Sequence, residues 1–182
     1  MEGSNMEGRE VTLSEMLDFR EKKAMLQTEL MNNGMGCVVV SLGMNIPGPV
    51  KSTPAVFHVF EEGQHLIENM LRVSGSRIVE KCMLKENAGY AAIYQVLGAG
   101  ARDLKKKMAT IEETHACGRL FDIDVLGVDG NAVTREQVGV QRRKCLLCEQ
   151  DAKICGRSRA HSVKELSDQV GKIIQAWEKE TW

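Results

Sequence analysis

The chain has no apolar run approaching the 18 or so residues needed to cross a bilayer. Its first ten residues, MEGSNMEGRE, are polar and lack the apolar stretch of a secretory signal. Neither sign of charge is in excess: 24 Lys and Arg stand against 25 Asp and Glu, a net of -1. That balance excludes a cationic coat for nucleic acid or membrane, though not a local patch. Only three prolines and 17 glycines occur beside 43% hydrophobic and 27% charged residues, which excludes disordered, collagen-like and low-complexity material. There is no P-loop, no G-x-G-x-x-G after a strand, no H-E-x-x-H and no G-x-S-x-G. What is present is a chain of 182 residues. A chain of that size can bury roughly 70% of the surface it exposes unfolded. One domain is expected over residues 11–182, behind a polar leader of residues 1–10. Six cysteines without an export signal imply reduced thiols and a cytoplasmic location.

Periodicity predicts a helix from Val11 to Met31, opened by the capping-box spacing of Thr12 and Glu15 and stopped at Asn32-Asn33-Gly34. Cys37 to Leu42 reads as a buried strand. Gly43 to Pro54 holds all three prolines and reads as a structured loop. A helix follows from Thr53 to Val73, weakened by Gly63. Arg77 to Lys85 and Tyr90 to Leu97 read as a hairpin turning at Glu86-Asn87-Ala88-Gly89. Ala101 to His115 reads as a helix with Lys105, Lys106 and Lys107 on its wet side. Leu120 to Val128 reads as a strand, with Ala132 to Thr134 returning antiparallel after Asp129-Gly130-Asn131. An amphipathic helix closes the chain from Ser162 to Trp182. Helices and partly antiparallel strands intermix, so the expected class is α+β, or mixed α/β.

Two clusters could carry chemistry. The first is Gly118-Arg119-Leu120-Phe121-Asp122-Ile123-Asp124-Val125. In a strand, Phe121, Ile123 and Val125 share the core face, and Asp122 and Asp124 project together to the other. Two neighbouring carboxylates suit a hard divalent cation such as Mg²⁺, which takes its other ligands from substrate phosphates and water. That arrangement serves in-line attack at phosphorus. The plain alternative is a solvated strand face, with Arg119 at the surface or beside a phosphate.

The second cluster is basic and cysteine-rich. Residues 135–161 hold seven Lys and Arg against three Asp and Glu, a net of +4, which leaves -5 for the remainder. Cys145 and Cys148 have C-x-x-C spacing, and Cys155 and His161 could complete a zinc set. Buried reduced thiols in a small helical turn, or a redox dithiol, are the alternatives. Arg143, Arg157 and Arg159 offer planar forks for phosphate, or simply a basic surface. Lys51, closing the Asn45-Ile46-Pro47-Gly48-Pro49-Val50 loop, is a phosphate contact or part of a plain turn. His115 is a base or a helix-end cation.

Four of these pieces, in this order, resemble the apo-citrate lyase phosphoribosyl-dephospho-CoA transferases, also called holo-citrate lyase synthases. They are the opening helix with Arg20-Glu21, the Asn45-Ile46-Pro47-Gly48 loop with Lys51, and the stretch Gly118 to Val125. The fourth runs from Arg143-Lys144-Cys145-Leu146-Leu147-Cys148 through Cys155 and Arg157-Ser158-Arg159 to His161-Ser162. The likeness spans about Thr12 to Ile174. It implies a nucleotidyltransferase-like single domain whose mixed or antiparallel sheet is flanked by helices. The activity implied is transfer of a prosthetic group from 2'-(5''-triphosphoribosyl)-3'-dephospho-CoA. The acceptor is a serine of the citrate lyase acyl carrier (gamma) subunit, and pyrophosphate leaves.

Asp122 and Asp124 would then hold Mg²⁺ at the α-phosphate. Arg119, Lys51, Arg143, Arg157, Arg159 and His161 would bind the donor or its departing pyrophosphate, with Glu112, Glu113 or His115 as candidate bases. No nucleic acid or membrane is an expected partner. The polymerase-β-like nucleotidyltransferases usually carry a Gly-Ser turn roughly ten residues before their Asp pair, and here no Gly-Ser is so placed. The rival readings are a non-catalytic adaptor held by zinc at Cys145, Cys148, Cys155 and His161, and a nucleotidyltransferase with another acceptor.

Overall fold

A computed structural model of the chain describes residues 8–32 and 36–181. Helix α1 (Leu13–Asn32) opens on the expected capping box. The Glu15 carboxylate accepts from the Thr12 N–H at 2.9 Å, and the Glu15 N–H donates to Thr12 Oγ1 at 3.3 Å. The Asn33-Gly34 part of the predicted stop lies outside the described residues. The chain continues through β1 (Val38–Met44), α2 (Pro54–Val73), β2 (Arg77–Glu86), β3 (Gly89–Leu97) and α3 (Ala101–Thr114). It ends with β4 (Phe121–Leu126), α4 (Ala152–Ser158) and α5 (Val163–Thr181). Thr53 caps α2 by accepting from the Val56 N–H at 3.2 Å, with Pro54 in the first turn where its missing N–H costs nothing.

The four strands form one sheet in the order β2-β3-β1-β4, antiparallel at every pairing. Together with the helices on both faces, this makes the α+β class expected from sequence. Helices α2, α3 and α5 cover one face, where Leu42, Tyr94, Phe121 and Ile123 meet Phe60, Leu104, Met108 and Ile174. Helix α1 covers the other, packing Phe19 and Leu30 on Val39, Ala91 and Ile93. The middle strand β3 is buried on both faces over eight of its nine residues, which is why it reads as a continuous apolar run. Gly63, which weakens the sequence pattern of α2, is where that helix comes closest to the sheet. A Cβ there would stand 2.9 Å from the Phe121 ring.

Three expectations need correction. The strand read as Leu120–Val128 is shorter, because a 3-10 turn (Gly118–Leu120) precedes it and the Asp129 turn follows Leu126. The return over Ala132–Thr134 forms no strand. It makes one bridge between Leu126 and Ala132, and the Val133 N–H donates to Val125 O at 2.8 Å. No room exists for more, because α3 occupies the outer edge of β4. The Lys105 Nζ donates to the Ile123 carbonyl at 2.6 Å, and Glu112 Oε1 accepts from the Ile123 N–H at 2.7 Å. Lys105 is therefore buried at 7% exposure rather than wet, since the unpaired edge carbonyl requires a donor.

The 3-10 turn explains the glycine that opens the Asp motif. A Cβ on Gly118 would stand 2.5 Å from the Glu112 carbonyl oxygen and 2.6 Å from that of Ile111, and backbone cannot yield as a side-chain tip can. Gly118→Ala is expected to destabilise the chain by about 1–3 kcal/mol, the range for forced overpacking. The measurement is the urea midpoint, which should fall with an unchanged slope.

Candidate active site

Strand β4 alternates as its sequence predicts. Phe121, Ile123 and Val125 are buried in the core, and the Asp122 and Asp124 side chains stay 53% and 45% exposed on the opposite face. That is the face of α1. The ladder places Asp122 across from Gly43 and Asp124 across from Ser41. Two residues along a strand advance about 6.6 Å, so the carboxylates are neighbours on one side of the ribbon. Each has a cation beside it. Lys23 Nζ of α1 lies 3.4 Å from Asp124 Oδ2, and Arg143 Nη1 lies 3.8 Å from Asp122 Oδ1. Ser41 is fully buried, and its Oγ makes no hydrogen bond among the described residues.

Cavities open on both sides of Asp122. One, of about 290 Å³, is lined by Arg20, Lys23, Lys51, Asn45, Tyr90 and Asp122. Three cations, Arg20, Lys23 and Lys51, line it against a single carboxylate, an excess of positive charge next to the carboxylate pair. Burial first, and the Arg20 charge second, push the Lys51 ammonium below its ordinary value. An anion in the cavity would reverse that push. The other cavity, of about 350 Å³, is bounded by Asp122, Asp124, Lys105, Glu112, Arg135 and Arg143. A third cleft, of about 630 Å³, shares Asn45 with the first and runs past Pro47, Leu146, Val163 and Leu166 to Arg159 and His161.

Glu112 fixes the scaffold beneath the pair. It is 2% exposed, and its oxygens take the Ile123 N–H, Arg135 at 2.7 Å and Arg143. Both its oxygens are committed, so it holds β4 and the two arginines rather than standing free as a base. The other candidate bases lie elsewhere. Glu113 pairs with Arg135 at 3.0 Å. His115 lies 3.4 Å from Glu62, and its ring stacks at 5.7 Å on Phe121, whose side chain points to the opposite face from the Asp pair.

The remaining sequence candidates divide. Lys51 and Arg143 border cavities that also contain Asp122. Arg119 does not reach the pair. Its guanidinium donates to the carbonyls of Lys144 and Cys145, the latter at 3.0 Å, and so anchors the cysteine segment. Arg157 and Arg159 are exposed near the end of α4, and only Arg159 lines the large cleft. His161 turns toward the cysteines, with Nε2 3.4 Å from Cys148 Sγ and 3.8 Å from Cys155 Sγ. Cys145, Cys148, Cys155 and His161 bring their ligand atoms within 4.8 Å of one another, a donor set compatible with Zn²⁺. Among the described residues, this is the one group of three or more His, Cys and carboxylate side chains placed for a common ion.

Sequence reasoning did not assign Arg20 and Lys23 to the site. Their signal was available in part, since residues three apart on a helix share a face. Knowing that this face meets the Asp pair requires the sheet order.

Residues 11–177 match the family model for apo-citrate lyase phosphoribosyl-dephospho-CoA transferase. A protein of Streptococcus pyogenes serotype M3, named probable apo-citrate lyase phosphoribosyl-dephospho-CoA transferase, is 34% identical over 93% of this chain and 88% of its own length. One of the same name from Vibrio cholerae serotype O1 is 38% identical over 86% of this chain and 87% of its own. A match over nearly the whole chain, with the paired carboxylates, the Lys51 loop and the cysteine segment all inside it, places this chain in the apo-citrate lyase phosphoribosyl-dephospho-CoA transferase family.

Proposed function

We propose that this protein loads apo-citrate lyase with its prosthetic group. The donor is 2'-(5''-triphosphoribosyl)-3'-dephospho-CoA, and the acceptor is a serine hydroxyl of the acyl carrier (gamma) subunit. The serine oxygen attacks the α-phosphorus, and the bond between that phosphorus and the oxygen bridging to the β-phosphate breaks. A phosphodiester forms, and pyrophosphate leaves with the bonding electrons. The serine proton passes to a carboxylate of the Asp pair.

The observation that carries this reading is Asp122, with Asp124 beside it on the same strand face, opening onto a cavity ringed by Arg20, Lys23 and Lys51. Half-exposed carboxylates beside an anion site are a hard-oxygen donor set of the kind Mg²⁺ uses with phosphate substrates. When bound there, Mg²⁺ supplies charge that offsets the negative charge gathering on the phosphates. Lys51, Arg20 and Lys23 hold the β- and γ-phosphates and keep the leaving pyrophosphate aligned. Arg143 spans Asp122 and Glu112, and so orients the carboxylate while its charge faces the reacting centre. The larger, more apolar cleft that shares Asn45 takes the dephospho-CoA arm, with Arg159 at its polar end. Among the described residues no helix is long and apolar enough to cross a membrane.

The test is incubation of the chain with apo carrier protein, the triphosphoribosyl donor and Mg²⁺. The expected outcome is a carrier mass increase equal to the donor less pyrophosphate, with stoichiometric pyrophosphate release and loss of both when Mg²⁺ is omitted. Failure to modify the carrier under these conditions would overturn the reading. Pyrophosphate release without carrier modification would point to another acceptor.

A further inference from the structure

We infer that Cys145, Cys148, Cys155 and His161 form a structural zinc site that closes residues 145–161 on themselves, tying the C-x-x-C turn to the end of α4. The separations among Cys148, Cys155 and His161 approach those of a metal tetrahedron, and Cys145 lies within 4.8 Å of them. With Zn–S near 2.3 Å and Zn–N near 2.0 Å, a tetrahedral site has edges of about 3.8 Å between sulfurs and about 3.5 Å between sulfur and nitrogen. Here Cys148 Sγ and Cys155 Sγ are 3.4 Å apart, and His161 Nε2 lies 3.4 Å and 3.8 Å from them. All four ligand atoms fall within 4.8 Å of one another. Four protein ligands of this type close the coordination shell, which is the mark of a structural rather than a catalytic zinc.

The backbone is shaped around the same point. The C-x-x-C turn folds back so that the Leu147 N–H donates to Cys145 Sγ at 3.5 Å. The Cys145 N–H donates to Gln150 O at 2.7 Å, which closes the loop and leads into α4, where Cys155 sits. Helix α4 then ends on Arg159 at φ 50°, the one non-glycine residue with positive φ among the described residues. Left-handed backbone at a side-chain-bearing residue persists where its surroundings require it. The reversal at Arg159 is what returns His161 to the cysteines.

The segment 135–161 buries little hydrocarbon of its own, although Leu146 packs on the main core and Arg119, Arg135 and Arg143 tie it to the domain. Between Val125 and Val170 the only buried apolar side chains are Cys145 and Cys155. A bound metal would add stabilisation that so little buried hydrocarbon does not supply. The surrounding charge fits as well. Three thiolates and a neutral imidazole around Zn²⁺ carry a net of -1. Arg119, whose guanidinium donates to the carbonyls of Lys144 and Cys145, stands directly beside it. The other three cysteines, Cys37, Cys82 and Cys117, lie outside the cluster. None of this depends on the transferase reading.

The test is metal analysis of the full chain purified under reducing conditions. One zinc per chain is expected. Exchange for Co²⁺ should give the visible d–d bands of a tetrahedral site, with a sulfur-to-cobalt charge-transfer band in the near ultraviolet. Removal of the ion by chelator should lower the melting temperature and open residues 145–161 to protease. Cys148→Ser should lose the zinc, and Cys82→Ser should keep it. Should Cys148→Ser fail to fold, the zinc count and the Co²⁺ spectrum of the unaltered chain still decide. A metal-free chain with freely reacting thiols, a Cys148–Cys155 disulfide in the protein as isolated, or a Co²⁺ spectrum without thiolate bands would overturn the assignment.

Discussion

Asp122→Ala is expected to leave the chain folded and to lower carrier loading by at least about a thousandfold. A metal held against a transferring phosphoryl group contributes several kcal/mol of transition-state stabilisation, and about 4 kcal/mol corresponds to that factor. The fold should tolerate the change because the Asp122 side chain is 53% exposed and its contact with Arg143 is loose at 3.8 Å. Surface pairs of that kind contribute little to stability. Asp124→Ala should give a similar loss, and the double variant should be scarcely worse than either single one, since two ligands of one ion act as a unit. The readout is the rate of the carrier mass shift, set beside an unfolding midpoint unchanged from the parent. Near-normal loading by Asp122→Ala would remove the carboxylate pair from the mechanism.

Glu112→Ala carries the second large effect, and it falls on stability. Glu112 is 2% exposed, and its removal takes their shared acceptor from Arg135, Arg143 and the Ile123 N–H at once, leaving Arg135 only the half-exposed Glu113 and the Gln141 carbonyl. The Arg135 side chain is only 12% exposed, so water cannot fully replace the lost carboxylate. Breaking a buried pair from one side costs about 3–5 kcal/mol, a large share of the 5–15 kcal/mol typical of a whole domain. Glu112→Gln keeps an acceptor for Ile123 but no charge for the arginines, so it should fall between parent and alanine. Denaturant midpoints measure both. A loss below about 1 kcal/mol for Glu112→Ala would show that the arginines find other partners and that the network is not structural.

The elements that the sequence predicts well are those with one dominant signal. The capping box of α1 pairs Thr12 with Glu15, and it forms. The alternation in Phe121-Asp122-Ile123-Asp124-Val125 sets the two faces of β4 before any neighbour is known. What sequence could not show depends on who lies beside whom. Lys105 sits in a run of three lysines and reads as solvated, yet one of the three points at an edge carbonyl. Glu112 stands in the sequence as one of three candidate bases, and its burial follows only from β4 lying next to α3. Arg119 belongs to the Asp motif in sequence but serves the cysteine segment in space, because the 3-10 turn at Gly118 swings its side chain away from the strand face.

The hold of α3 on Ile123 has a consequence for how partners can approach. An edge strand normally offers a row of free N–H and C=O groups to any passing chain, the route of strand addition and of aggregation. At β4 that row is interrupted in its middle, where both backbone groups of Ile123 are already taken by Lys105 and Glu112. An incoming protein therefore cannot extend the sheet on the side that carries the carboxylates. On the proposed function, the carrier would present its serine from above the sheet, as a loop or a helix end, and the strand bearing Asp122 and Asp124 would stay in register while it does so.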